Sequence, residues 1–348
     1  MLDVVVLVVA FALILAGAEL FTNAIEWFGH KLGLGEGAVG SVLAAIGTAL
    51  PETTIPIIAI VFSGGTADAV GLGAILGAPF MLATLAAGVT GLVVLAARRR
   101  RAAGDSLLLD RSIVRTDLRA FAVAYAVAVG AAFLPAEPAW PKLVVAAVLL
   151  AVYGLYVRGH LAAEAALGRE GLNPLRLHRL DRGYPPALGG DPRLRIVTVQ
   201  VLTGMVAIVV GAVAFVSAVS DVARGAGVSE ILLALIIAPI ATELPEAANA
   251  IVWVRQGKDT LAIGNITGAM VFQASIATIT ALVFAPEAWT FGAGTGLAFA
   301  SAPIAVASAA AVYGPFLTGR RLRAANLLVG GAFYAAYLAV LVAGASPT

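Results

Sequence analysis

Residues 45–52 read AIGTALPE, and residues 239–246 read PIATELPE. Each block sets a Thr, a Leu-Pro pair and a Glu inside a long apolar run. An acidic side chain there costs several kcal/mol unless it faces a protein interior or binds a cation, so it marks a functional site by default. Over the whole chain, hydrophobic residues make up 61% of the 348 positions and charged residues 12%. That charged share is about half the usual one for a soluble domain, and it describes a polytopic membrane protein. There is no cysteine, which excludes disulfides and thiolate metal sites. The opening MLDVVVLVV lacks a basic leader region and its apolar run continues towards Trp27, so it reads as a retained first helix.

Windows of about 20 apolar residues place ten spans, near 2–28, 37–62, 70–96, 117–134, 141–159, 195–220, 229–254, 261–284, 292–316 and 325–345. In alternate links, Lys31, Arg98 to Arg101 with Arg111, Arg115 and Arg119, the cluster from Arg158 to Arg195, Arg255 with Lys258, and Arg320, Arg321 and Arg323 share one side. Only Lys142 and Arg224 fall on the other. The positive-inside rule then puts both termini outside and the 159–194 loop in the cytoplasm of a multi-pass protein of the cell (inner) membrane.

The two halves are copies. Adding 194 carries Gly17 to Gly211, Phe21 to Phe215, Glu36 to Glu230, Thr48 to Thr242 and Leu50-Pro51-Glu52 to Leu244-Pro245-Glu246. After three extra residues in the 63–69 link, Gly73, Ile75, Gly77 and Ala78 match Gly264, Ile266, Gly268 and Ala269. Composition explains single Gly or Ala coincidences, but not a Thr-x-Leu-Pro-Glu block with a Glu sixteen residues upstream in both copies. Five spans separate the copies, so the second enters from the opposite face. The expected fold is all-α, two inverted five-helix repeats, 1–160 and 195–348, joined by a loop at 161–194. That loop carries turn and linker signals and is too short for a folded regulatory module.

Pro51 and Pro245 lack an amide proton and clash with the carbonyls of Gly47 and Ala241, which are thereby freed. Lining a wet cavity, such carbonyls become oxygen ligands. Each broken helix therefore offers a Thr hydroxyl (Thr48, Thr242), a carbonyl (Gly47, Ala241) and a carboxylate (Glu52, Glu246), and inverted symmetry brings the sets together near the midplane. Such donors suit Ca²⁺, Na⁺ or another hard cation. Glu243, three residues before Glu246, can share its helical face. Three clustered carboxylates hold a proton or a metal ion between them.

These blocks resemble the two alpha repeats of the calcium/cation antiporter superfamily, which includes the sodium/calcium exchangers. Gly47–Glu52 (GTALPE) and Ala241–Glu246 (ATELPE) look like the first block of each repeat. Gly264–Gln273 (GNITGAMVFQ) looks like the second block, and Gly73–Leu82 (GAILGAPFML) like a worn copy. The resemblance implies a divergent prokaryotic antiporter with ten helices, alternating access and no covalent chemistry. Glu52 and Glu246 would be the main ion ligands, with Thr48 and Thr242 beside them. This chain departs where the family has hydroxyls and acids: Ala49 and Glu243 replace Ser, while Ala78 with Leu82, and Ala269 with Gln273, replace Ser with Asn or Asp. Gln273 keeps an amide oxygen, and a site poorer in hydroxyls but richer in glutamates favours proton coupling.

The expected function is export of a divalent cation, Ca²⁺ first, in exchange for Na⁺ or H⁺. The alternatives are proton-coupled exchange of Na⁺ or another divalent metal, and, from a different class, a passive cation channel. An enzyme is not expected, because no Asp pair or Ser/His arrangement falls in the spans. Inorganic cations and the lipid bilayer are the expected partners, with no cofactor beyond the transported ions, no nucleic acid and no obligate protein partner. Asn265 satisfies broken backbone or neighbouring helices, or else touches the ion. Glu19 reads first as a hydrogen-bond partner of a neighbouring helix and second as a gate or proton carrier. Glu36 and Glu230 mark helix starts, and Pro79 and Pro239 mark kinks. His30, His160 and His178 fall in or beside cytoplasmic links and read as solvated.

Overall fold

The structure is a computed structural model that describes residues 2–49, 68–162, 167, 171–181, 190–225, 243–292 and 296–345. The described helices, in chain order, are α1 (Leu2–Lys31), α2 (Ala38–Ala49), α3 (68–97), α4 (Arg111–Gly130), α5 (Trp140–Ala162), α6 (Leu194–Gly225), α7 (Leu244–Gln256), α8 (Asp259–Phe284), α9 (Gly296–Leu317) and α10 (Ala324–Ala345). Seven of them are long and apolar enough to cross a membrane, and Ala38–Ala49 and Ala324–Val340 are shorter apolar helices. α2 and α7 cover only parts of the expected spans 37–62 and 229–254. Among the described residues no strand forms, only an isolated bridge between Ser106 and Arg323.

The packing carries the internal repeat. A Cβ added to Gly17 of α1 would meet Ile208 and Gly204 of α6, and one added to Gly211 of α6 would meet Ile14 and Ala10 of α1. Each contact maps onto the other by the offset of 194. Moreover, the partners of α6 fall as α1 rises, so the two helices run antiparallel, as inverted copies must. Without a hydrophobic driving force between helices in lipid, such close backbone approach through small residues supplies the packing energy.

The second offset, 191, reappears in the helical winding. α3 opens into a π-turn at Leu82–Ala86 and α8 into one at Gln273–Ala277. In the first, Thr84 Oγ1 donates to Phe80 O at 2.6 Å, and in the second Ser275 Oγ donates to Val271 O at 2.6 Å. A hydroxyl that takes the carbonyl four residues back competes with the backbone amide and loosens the turn. Single π-turns of this kind concentrate at functional sites. Pro79 lies inside α3, just before its π-turn, while Pro239 lies outside the described residues.

The links sort to two ends of the bundle. At one end Leu107 N donates to Leu322 O at 2.9 Å, Arg101 pairs with Asp259 at 2.7 Å, and Asn173 reaches Gln256. These contacts join links 98–110, 171–181, 255–260 and 318–323, all of them basic. At the other end Phe291 N donates to Ala132 O, and the Nζ of Lys142 donates to the carbonyls of Pro286 and Trp289 and to Thr290 Oγ1. Lys142 is fully buried: rather than facing solvent, its ammonium caps the carbonyls of the 285–290 turn.

The described part of the long loop docks onto α1 and α6. Asn23 and Trp27 donate to Asn173 O, Leu177 N donates to Gln200 Oε1, and Leu175 is buried against Ala24, Trp27 and Val197.

Candidate functional site

α7 begins at Leu244, with Pro245 in its first turn, where a missing amide proton costs nothing. Glu243 stands immediately before this turn, without a side-chain capping bond, and Glu246 lies within it. A carboxylate is favoured by the partial positive charge of a helix N-terminus, which offsets part of the cost of burying these two. Glu243 is 2% exposed and Glu246 0%, and a charge on Glu246 repels one on Glu243. Glu243 Oε2 has no hydrogen-bond partner among the described residues. It borders a cavity of about 150 Å³, otherwise lined by apolar side chains that include Phe11 and Leu15 of α1, Leu85 and Val89 of α3, and Ala247 of α7.

α8 crosses beside this turn. Asn265 is 0% exposed, its Nδ2 makes a long contact of 3.5 Å to Glu246 O, and its Oδ1 is without a partner among the described residues. Gln273 is 1% exposed and opens the π-turn of α8. On α2, Thr48 is buried and donates its hydroxyl to Ala44 O at 3.1 Å, which leaves the oxygen lone pairs available. A Cβ on Gly47 would strike the ring of Phe21 at 2.7 Å, so this glycine lets α1 pack close to α2.

Thus Glu243, Glu246 and Asn265 come together at the α7–α8 crossing, with Gln273 buried further along α8 and Thr48 buried on α2. Glu52, Thr242 and Ala241 lie outside the described residues. Glu19 is placed elsewhere: its carboxylate pairs with Arg176 at 2.6 Å, and both side chains are about half exposed. The arginine comes from the docked loop rather than from a helix, a pairing that no local pattern announces. Glu36 is exposed and stands at the start of the helical stretch leading into α2, and Glu230 is outside the described residues.

His160 departs from its expected solvated position. It is 3% exposed, and its Nε2 lies 2.8 Å from Asp117 Oδ1. The same carboxylate accepts from Tyr156 OH at 3.1 Å, Ser41 Oγ at 2.8 Å and Thr267 Oγ1 at 2.5 Å. This one side chain therefore ties α4 and α5 to α2 and α8. Burial of so many partners draws the end of α5 inward, which a count of residues from the link cannot reveal. His30 is partly buried and touches Leu167 O at 2.9 Å. His178 contacts Leu175 O at 2.7 Å.

Two further polar groups were not singled out by the sequence. Glu26 of α1 is 1% exposed, accepts from Trp253 Nε1 at 2.7 Å and pairs with Lys258. Asn249 of α7 is 0% exposed, and neither its Oδ1 nor its Nδ2 has a partner among the described residues. Each is a polar residue in an apolar run, the same signal that marks Glu52 and Glu246, but neither is repeated in the other half.

The family model described as "Sodium/calcium exchanger protein" matches residues 2–160 and 196–344. Among curated proteins, one described as "Putative antiporter CaxA" from Alkalimonas amylolytica is 33% identical over 75 residues, which are 22% of this chain and 24% of that protein. The match thus spans about a quarter of that relative. Among solved structures, the sodium-calcium exchanger NCX_Mj soaked with 10 mM Na⁺ and zero Ca²⁺ superposes with a TM-score of 0.71 at 17% identity, over 97% of this chain and 98% of that one. The same protein soaked with 2.5 mM Na⁺ and 0.1 mM Ca²⁺ gives a TM-score of 0.72 at 17% identity over the same shares. At that identity the likeness speaks for the fold.

Proposed function

The chain belongs to the sodium/calcium exchanger protein family, and on that premise we propose that it is a secondary antiporter that moves a divalent cation, Ca²⁺ first, in exchange for Na⁺ or H⁺. The observation that carries this reading is the pair of buried carboxyl groups, Glu243 and Glu246, side by side at the start of α7 and next to Asn265. Two carboxylates excluded from water are tolerated when a cation or a proton neutralises them. A site that must always be neutralised trades one cation for another, which is the chemistry of exchange.

Hard oxygen donors of this kind suit Ca²⁺ or Na⁺ over softer metals. Glu52, Thr48, Thr242, Gln273 and the carbonyls of Gly47 and Ala241 complete the proposed ligand set, with the ions as substrates and no resident cofactor. The glutamate at 243 biases coupling towards protons, because an added carboxyl group provides a proton acceptor within the ion site. The two inverted repeats, 1–160 and 195–348, act as the paired units of alternating access, with the basic links and the 161–194 loop on the cytoplasmic side and both termini outside.

Purified protein in liposomes is expected to accumulate ⁴⁵Ca²⁺ against an imposed Na⁺ or pH gradient, and Glu246→Gln to abolish the flux. Unimpaired flux in that variant would remove the carboxylate from the mechanism. Single-channel currents would support the passive-channel reading instead.

A further inference from the structure

Asn249 is a polar group of the described interior, on the same helix as Glu246, that the proposed site does not explain. A buried amide that makes no hydrogen bond forfeits its hydration without compensation, and buried polar groups of this kind are ordinarily satisfied by protein, water or an ion. Among the described residues both of its polar atoms are without a partner, in a residue with no exposed surface.

Its position says what it serves. On α7, Glu246, Asn249 and Trp253 follow the i, i+3, i+7 spacing of a single helical stripe. At about 1.5 Å of rise per residue, Asn249 stands roughly 4.5 Å beyond Glu246 along the axis, and Trp253 about 6 Å further. At the far end of the stripe the Trp253 indole donates to Glu26, which pairs with Lys258, and Lys258 is the first member of the series with appreciable exposure. The stripe therefore leads from the buried carboxyls to one face of the bundle, with Asn249 as its only polar step between Glu246 and Trp253. The first repeat has Ile55 at the equivalent position, offset by 194, so the step belongs to one side alone.

We propose that Asn249 is a further cation ligand. Its side-chain oxygen takes the hard cation as it passes between Glu246 and the face that carries Lys258, replacing part of the ion's water shell. This rests on the exchanger reading above, and it adds a sidedness to that reading. An amide oxygen is a neutral ligand for Ca²⁺ or Na⁺, so it lowers the cost of dehydration without holding the ion as firmly as a carboxylate.

The test is ⁴⁵Ca²⁺ and ²²Na⁺ flux through the full-length protein in vesicles sorted by the orientation of a terminal tag. Asn249→Ala is expected to raise the half-saturating cation concentration about tenfold at the Lys258 face, which corresponds to about 1.4 kcal/mol, and to leave the opposite face unchanged. Asn249→Asp, which keeps the oxygen and adds charge, is expected to lower it at that face and to slow release. It also decides the matter if the alanine variant does not fold. An unchanged value at both faces, or an equal rise at both, overturns the proposal and assigns Asn249 to packing. If wild-type protein exchanges cations and Glu246→Gln does not, while Asn249→Ala behaves as wild type, this proposal fails and the exchanger reading stands. A wild-type protein inert towards every cation overturns both.

Discussion

Removing the Asp117 carboxylate should unfasten two motif helices from the rest of the bundle. The carboxylate accepts four hydrogen bonds, from Ser41, Tyr156, His160 and Thr267. In Asp117→Ala two of these donors have somewhere else to go: Thr267 Oγ1 already shares its proton with Ile263 O at 2.9 Å, and Tyr156 OH with Ser41 O at 3.0 Å. Ser41 Oγ and His160 Nε2 lose the carboxylate as acceptor. Hydrogen bonds to a charged group contribute about 1.5–3 kcal/mol each, so the loss should be about 3–6 kcal/mol, in line with the cost of removing one partner of a buried pair. Equilibrium denaturation in mixed detergent micelles, followed by tryptophan fluorescence, measures it. His160→Ala in the same background should cost much less than His160→Ala alone, because the pair is already broken. A loss below about 1 kcal/mol for Asp117→Ala, or strict additivity with His160→Ala, would refute the argument that this carboxylate organises the crossing.

Gly268→Ala should destabilise the protein by more than about 1 kcal/mol in the same assay, because a Cβ there would collide with the backbone of Ser41, whereas Gly154→Ala, with open space around it, should be neutral or mildly stabilising. Glu26→Gln keeps the Trp253 bond but removes the charge facing Lys258; it should accelerate opening at that face, read as faster hydrogen exchange of the amides near 253–258. Asp110 accepts from the Ser112 hydroxyl at 2.6 Å and from the Ser112 amide at 2.7 Å and caps α4, and these bonds, the hydroxyl's first, hold its carboxyl below the ordinary carboxylate range. A lowered folded-state value means that its contribution is complete above pH about 4, fades as pH falls through the folded value, and disappears in Asp110→Ala. Thermal scans between pH 3 and 6 should show the variant converging on wild type at the acid end.

Much of the architecture was readable because the chain repeats. The offsets 194 and 191, found by matching letters, return in space as the reciprocal contacts of Gly17 and Gly211 and as the paired π-turns Leu82–Ala86 and Gln273–Ala277. Glu243 and Glu246 were readable because a carboxylate in an apolar run is expensive. The buried polar ties were harder to read for the opposite reason. Asp117 and His160 lie near the ends of spans, where charges usually mark the water boundary, and only long-range partners reveal them as interior. Glu19 looked interior by its neighbours, yet it lies on a side of α1 reached by Arg176 of the loop. Asn249 followed the same rule as the glutamates, but without a repeat partner it did not stand out.

The central claim, that this protein exchanges one cation for another, is tested most directly by ⁴⁵Ca²⁺ uptake into proteoliposomes with the ion inside as the only variable. Uptake should occur with Na⁺ or an acid interior, and should stop when the interior holds an impermeant buffer with neither gradient. Uptake that proceeds at the same rate without any internal exchange ion, driven by voltage alone, would contradict it.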